Sequence, residues 1–205
     1  MTVGEIKIES LKLMEINGTD ISTETLEDLY SNENYKEYLS RMPGAITRAL
    51  HRFKTVGVIP EKSYSETMEE NKSIARVDLS EKIEDFSKLN RVVVEGRNTY
   101  CANYPYTFEG KNVVLFNLRI GNTVTFIYEP KVPIVLTTTD DAMEIPIPDD
   151  LSSIIPYFVK ADVFEQDEPK LATQARNIFE LMLAEYKKQE DNVPVSIDSV
   201  YKQGW

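Results

Sequence analysis

The apolar positions of this chain change period twice along its length, from helical spacing to alternation and back to helical spacing. At the N-terminal end Val3, Ile6, Leu13 and Met14 share one helical face, and Thr2 and Glu5 have the spacing of a reciprocal cap. Asn17-Gly18 is a stop signal for that helix. Ile6, Ile8, Leu11 and Leu13 partly alternate, so a strand competes with the helix, which is preferred. Ser22 or Thr23 can cap a short acidic helix running to Tyr30. In residues 35–53, Tyr35, Tyr38, Leu39, Met42, Ile46, Ala49, Leu50 and Phe53 keep helical spacing. Pro43 lies inside this run and predicts a kink or a break, because it lacks the backbone donor and crowds the preceding turn. Gly57 and Pro60 end the helical region.

From about residue 73 to 148 the period is two. Ala75, Val77 and Leu79 alternate with Arg76 and Asp78, and Val92-Val93-Val94 is a short run of the kind a buried strand shows. Val113, Leu115 and Asn117 alternate with Val114, Phe116 and Leu118. Gly121-Asn122 is a hairpin signal, followed by Val124, Phe126 and Tyr128 on one face. Val132, Ile134 and Leu136 make a further candidate strand. The pattern predicts an antiparallel sheet, curled or folded into a small sandwich.

Asp149-Asp150 opens the C-terminal helical region. Leu151, Ile154, Ile155, Phe158 and Val159 form a stripe, with Pro156 either kinking the helix or starting a new one. Residues 165–169 are a polar break, and Asp167 or Glu168 suits the start of the next helix. That helix carries Leu171, Ala175, Ile178, Phe179, Met182, Leu183 and Tyr186 and fades at Lys187-Lys188. In the tail, Val193, Val195 and Ile197 alternate with polar residues and proline, and Val200, Tyr201 and Trp205 follow. Such an end suits strand addition to a partner, with Tyr and Trp as anchors. A tail that folds back onto its own domain, or stays disordered, is the competing reading.

The fold class expected is α+β: N- and C-terminal helices (residues 1–62 and 149–190) form one helical core, because neither group alone covers its apolar stripe. An antiparallel β domain (73–148) is inserted between them, and residues 191–205 form an extended docking tail. Tyr38, Met42, Ile46, Leu50, Phe158, Phe179, Met182 and Tyr186 are assigned to the helical core or to contacts with neighbouring copies.

Composition narrows the chemistry. The 205 residues carry a net charge of -11, which opposes tight binding to phosphate backbones without forbidding a surface past which DNA slides. Cys101 is the one cysteine, so no internal disulfide forms and a reducing compartment is expected. The N-terminal residues lack the basic and apolar regions of a signal peptide, and no window approaches about 18 apolar residues. His51 has no local nucleophile or carboxylate pattern around it, and Cys101 lies in a strand-like segment without a neighbouring cation. Asp140-Asp141, Asp149-Asp150 and residues 165–168 do not match a calcium loop and read as solvated acidic surface serving helix N-termini. No catalytic residue, metal site or cofactor is assigned. Tyr100, Tyr104, Tyr106 and Phe108 cluster as core or subunit-contact aromatics, or as a sugar-stacking platform.

Three stretches resemble the head-to-tail connector (adaptor, or head-completion) proteins of tailed bacteriophages. They are residues 38–53, including Ala45-Ile46-Thr47-Arg48-Ala49-Leu50; residues 121–130 leading to Glu144-Ile145-Pro146-Ile147-Pro148; and the helix pair of residues 151–186. The last of these includes residues 157–164, then Asp167, Leu171, Ala172, Asn177, Phe179 and Glu180. The resemblance covers about half the chain and lies in the order of patterned segments. It implies a non-enzymatic virion protein that forms a ring, often dodecameric, beneath the portal at the capsid vertex, assembled in the bacterial host cytoplasm. Its expected partners are the portal protein, neighbouring copies and a downstream neck or tail protein, with DNA as transient cargo in the lumen and no membrane. A portal-docking tail of Val193, Val195, Ile197, Val200, Tyr201 and Trp205 fits that role. The alternatives are a β-sandwich carbohydrate-binding or host-recognition module using residues 100–108, and a hydrolase built on scattered carboxylates.

Overall fold

The structure is a computed structural model and describes residues 1–14, 26–97 and 99–191. It is mixed α+β, with helices from both ends of the chain and antiparallel sheets between them in sequence. The chain divides into two units: Met1–Val58 with Pro133–Trp205, and Ile59–Val132.

The helical unit begins with α1 (Val3–Met14), a helix rather than a strand. Its N-terminus carries the reciprocal cap, in which the Glu5 N–H donates to Thr2 Oγ1 at 3.1 Å and the Thr2 N–H donates to Glu5 Oε2 at 2.8 Å. Helix α2 (Leu26–Ser31) buries Leu29. Helix α3 (Glu33–Val56) runs through Pro43 without a break. The proline costs one backbone bond, but Leu39, Met42, Ala45 and Ile46 on either side of it are all buried, and their packing holds the helix through that position. The signals at Asn17-Gly18 and at Ser22 or Thr23 lie outside the described residues.

Gly57 ends α3 at φ 76°, its N–H reaching the Phe53 and Lys54 carbonyls, while the Val58 N–H reaches Phe53 O at 3.2 Å. This is a Schellman ending, with Val58 buried beneath it. A Cβ at Gly57 would meet no neighbour within 4 Å, so the cost of a side chain there is backbone strain alone. Gly57→Ala is expected to lower stability by about 1 kcal/mol, read as a lower urea midpoint with an unchanged slope.

On return, α5 (Asp149–Ser152), α6 (Ile155–Val163, with Pro156 in its first turn) and α7 (Pro169–Asp191) complete the unit. Helix α6 is buried on most sides, at Ile155, Phe158, Val159, Ala161 and Val163, and packs against α1, α3 and α7. Phe179 of α7 stacks on Phe53 of α3 at 5.8 Å and meets Phe158 of α6 edge-on at 5.0 Å. Arg41, Arg48 and Arg52 of α3 pair with Asp167, Asp162 and Glu180, so each reaches a different part of the C-terminal helical region.

The β unit is a sandwich. Among the described residues, β1 (Lys62–Thr67), β7 (Thr123–Pro130), β3 (Phe86–Gly96) and β4 (Thr99–Cys101) form one sheet in that order. The other sheet is β2 (Lys72–Asp78), β6 (Asn112–Leu118) and β5 (Tyr106–Glu109). A one-turn helix, α4 (Leu79–Lys82), follows β2 and buries Leu79. Ala75, Val77, Val113 and Leu115 from one sheet share a core with Val92, Val94, Val124 and Phe126 from the other.

Three expectations are corrected. The turn at Gly121-Asn122 does not close a hairpin, because β6 and β7 belong to different sheets. The N–H groups of Arg119 and Ile120 are bound by the side chains of Asn122 and Asn71 instead of a facing strand. The segment with Val132, Ile134 and Leu136 is not a strand, and Val135 is the buried residue while Ile134 and Leu136 are exposed. Thr47 Oγ1 of α3 accepts the Val135 N–H at 2.9 Å and holds the segment on the helical unit. The β unit therefore spans 59–132 rather than 73–148, and it includes β1, whose polar sequence hides it. Residues 133–148 belong with the helices: the carbonyls of Asp141 and Met143 accept the Gly4 and Val3 N–H groups in the first turn of α1.

Within the β unit, Tyr128 donates to Asp85 Oδ1 at 2.9 Å, and Lys62 pairs with Asp85 Oδ2 at 2.6 Å. Burial first, and then the bond to Asp85, push the Tyr128 hydroxyl up to about 12. A group whose pKa rises on folding contributes stability below its unfolded value and loses that contribution as pH rises through the folded one. Tyr128→Phe is therefore expected to flatten the loss of stability between about pH 10 and 12, measured by urea unfolding at stepped pH.

Candidate interaction surfaces

Helix α1 places Lys7 on its inward face, between Val3 and Leu11, where the side chain is 2% exposed. Its ammonium donates to Asp141 Oδ1 at 2.6 Å and to the Tyr30 hydroxyl at 2.7 Å. Tyr30 in turn donates to Asp141 Oδ2 at 2.9 Å, closing a triangle of α1, α2 and the returning segment. Burial alone would lower the Lys7 pKa, but the bonds to Asp141 and Tyr30 outweigh it and hold the ammonium above its ordinary range. Burial likewise raises Tyr30, and its bond to Asp141 adds to the effect. The approach is close: a Cβ on Gly4 would lie 2.6 Å from Leu26 Cδ1 and 3.1 Å from Asp141 O. The arrangement is a fastening. Each polar atom is spent on another member of the triangle.

Asp141 is thus the partner of a buried cation, which differs from the solvated role expected of Asp140-Asp141. Asp167 is tied to Arg41 at 3.1 Å. His51 is exposed on α3, and Cys101 is half-buried in β4. Among the described residues, no group of three or more His, Cys, Asp or Glu stands together as a metal site. Among the same residues, no helix is long and apolar enough to cross a membrane.

Of the residues assigned to core or ring contacts, Met42, Ile46, Leu50, Phe158 and Phe179 are buried inside the helical unit, and Tyr38, Met182 and Tyr186 are half-buried. The tail positions Val193, Val195, Ile197, Val200, Tyr201 and Trp205 lie outside the described residues. The stripe expected on α7 separates into two. Ala172, Ala175, Phe179 and Leu183 are buried, whereas Leu171 and Ile178 are exposed and line up with Leu181, which is 65% exposed. Spacings of seven and three residues place these three on one side of the helix.

The aromatic cluster of residues 100–108 is divided between sheets. Tyr100 stands on β4 and Tyr106 and Phe108 on β5; Tyr106 and Phe108 meet edge-on at 5.6 Å. Tyr104 spends its hydroxyl on the Phe116 carbonyl. On the outer face of β2 and β6, Ile74 and Phe116 lie directly opposite each other and are exposed.

Charge is also divided. Residues 59–132 hold nearly equal numbers of acidic and basic side chains, so almost the whole net charge of -11 falls on the helical unit and its flanking segments. No family model and no curated protein matches the chain.

Proposed function

We propose that this chain is a non-enzymatic structural protein of a tailed-phage neck, forming a ring that joins portal to tail and lets DNA pass through its lumen. The observation that carries the reading is the division of charge. A strongly acidic helical unit lining a passage repels phosphate and lets a duplex pass without being held, whereas a basic wall would bind the backbone and slow it. Ile134 and Leu136 support it further: the clamp at Val135 holds both outward in fixed positions, where they supply an apolar contact for a neighbouring copy. In this reading the tail from Val193 to Trp205 docks on the portal.

The test is complementation of capsids that carry the portal but lack this chain. Added protein is expected to build a ring of density beneath the vertex, and protein lacking residues 191–205 is expected to fold yet leave the vertex bare. Vertices that stay bare with all 205 residues present overturn the proposal. A sugar-binding module draws less support, because Tyr100 and Phe108, the exposed rings of that cluster, stand on strands of different sheets and not side by side on one strand.

A further inference from the structure

We infer that the outer edge of β2 pairs with the same edge of a second copy of this chain, antiparallel and centred on Ala75. Among the described residues β2 is an outer strand of its sheet, with β6 on one side and no strand on the other. Lys72, Ser73, Ile74 and Arg76 are exposed along it. Ile74 is 48% exposed and lies opposite Phe116, which is 42% exposed, so the outer face carries an apolar pair next to the edge. The backbone groups of such an edge are a template for another strand.

The charges select both the occupant and the register. Residues directly opposite in an antiparallel pair point to the same face, so a two-fold axis normal to the sheet passes through a residue. Centred on Ala75, the axis sets Lys72 opposite Asp78 of the second copy at both ends of the strand, and all seven residues are paired. Centred on Ile74 it would oppose Lys72 and Arg76, and centred on Arg76 it would oppose two arginines; both registers set like charges together. In the favoured register Ile74 faces Arg76 of the second copy. The Arg76 guanidinium is held by Glu109 at 2.6 Å in its own chain, so its aliphatic stem is what meets Ile74. Lys72 reaches Glu70 at a loose 3.5 Å, and Asp78 uses Oδ1 to bind Ser80. Strand β1, an outer strand of the other sheet, does not offer the same contact, because its Lys62 and Glu66 are held by Asp85 and Lys82 of the same unit. Pairing at β2 joins two three-stranded sheets into one of six. An isologous contact closes at two copies, so it is not the contact that repeats around a ring, and the inference stands apart from the neck reading.

Sedimentation velocity of the complete protein is expected to show a reversible monomer–dimer equilibrium. Lys72→Asp and Asp78→Lys each set like charges at both ends and are each expected to weaken the dimer by about tenfold or more. An equimolar mixture of the two variants is expected to recover association, because each chain then supplies the charge the other lacks. Asp78 caps α4, so Ile74→Lys, at an exposed position facing Arg76 of the second copy, gives a reading independent of that cap and is also expected to weaken the dimer while circular dichroism stays unchanged. Ile178→Lys on α7 is expected to leave the dimer as it was. Three results overturn the inference: a monomer at concentrations up to about 1 mM, a dimer indifferent to Lys72→Asp and Ile74→Lys, or a mixture of the charge variants that stays monomeric. Bare capsid vertices with a chain that dimerises through β2 would count against the neck reading alone.

Discussion

Asp141→Ala is expected to destabilise the helical unit by about 3 kcal/mol or more, because it leaves the Lys7 ammonium buried without its counter-charge. The substitution removes the acceptor for both Lys7 and Tyr30. Lys7→Met should cost far less, since an apolar side chain of similar length suits a site between Val3 and Leu11. In the double variant the methionine should recover much of the loss, and urea unfolding of the four proteins measures it as a cycle. The pH dependence gives a separate reading. With Asp141 present, the Lys7 pKa is raised, so its stabilising contribution is complete below the unfolded value and declines as pH rises past it. Without Asp141, burial dominates and the folded state prefers neutral lysine, so the deficit of the alanine variant should shrink as pH rises toward about 10.4. A deficit independent of pH would mean that the lost packing, rather than the stranded charge, causes it.

Phe179→Ala is expected to cost about 3–5 kcal/mol. The ring is fully buried and touches Phe53 and Phe158, which stand on two other helices of the unit. Its removal opens a cavity where α3, α6 and α7 meet and also removes two aromatic pairs, each worth about 0.5–1.5 kcal/mol beyond burial. Leu181→Ala, two residues along the same helix, should stay within about 1 kcal/mol. The helical dichroism signal during urea unfolding separates them, and equal effects would contradict the assignment of the two α7 faces.

The contrast between those two positions shows where sequence reading succeeds and where it stops. Spacing identifies α7 and the burial of Phe179 and Leu183, because the apolar period holds from Leu171 to Tyr186, about four turns. It merged Leu171 and Ile178 into the same stripe, because a difference of one helical position is small beside the width of an apolar face. The cap at Thr2 and Glu5 was legible, since it is local. The Lys7 triangle was not, because its members are 23 and 134 residues apart in sequence from Lys7. One signal was available: a lysine at the centre of α1's apolar face needs a partner. Near Val135 the alternation points one residue out of register, because it does not say which parity faces inward when a helix threonine, rather than a strand, takes the backbone bonds.

The way the helical unit is closed has a consequence for biosynthesis. Helices α1 and α3 are made first, yet the helix they share, α6, leaves the ribosome more than a hundred residues after α1. The sandwich is contiguous in sequence and can fold as soon as its last strand emerges. During translation the early helices therefore wait with their apolar faces uncovered while a later-made module matures, and this interval, rather than the finished protein, is where chaperones have most to guard.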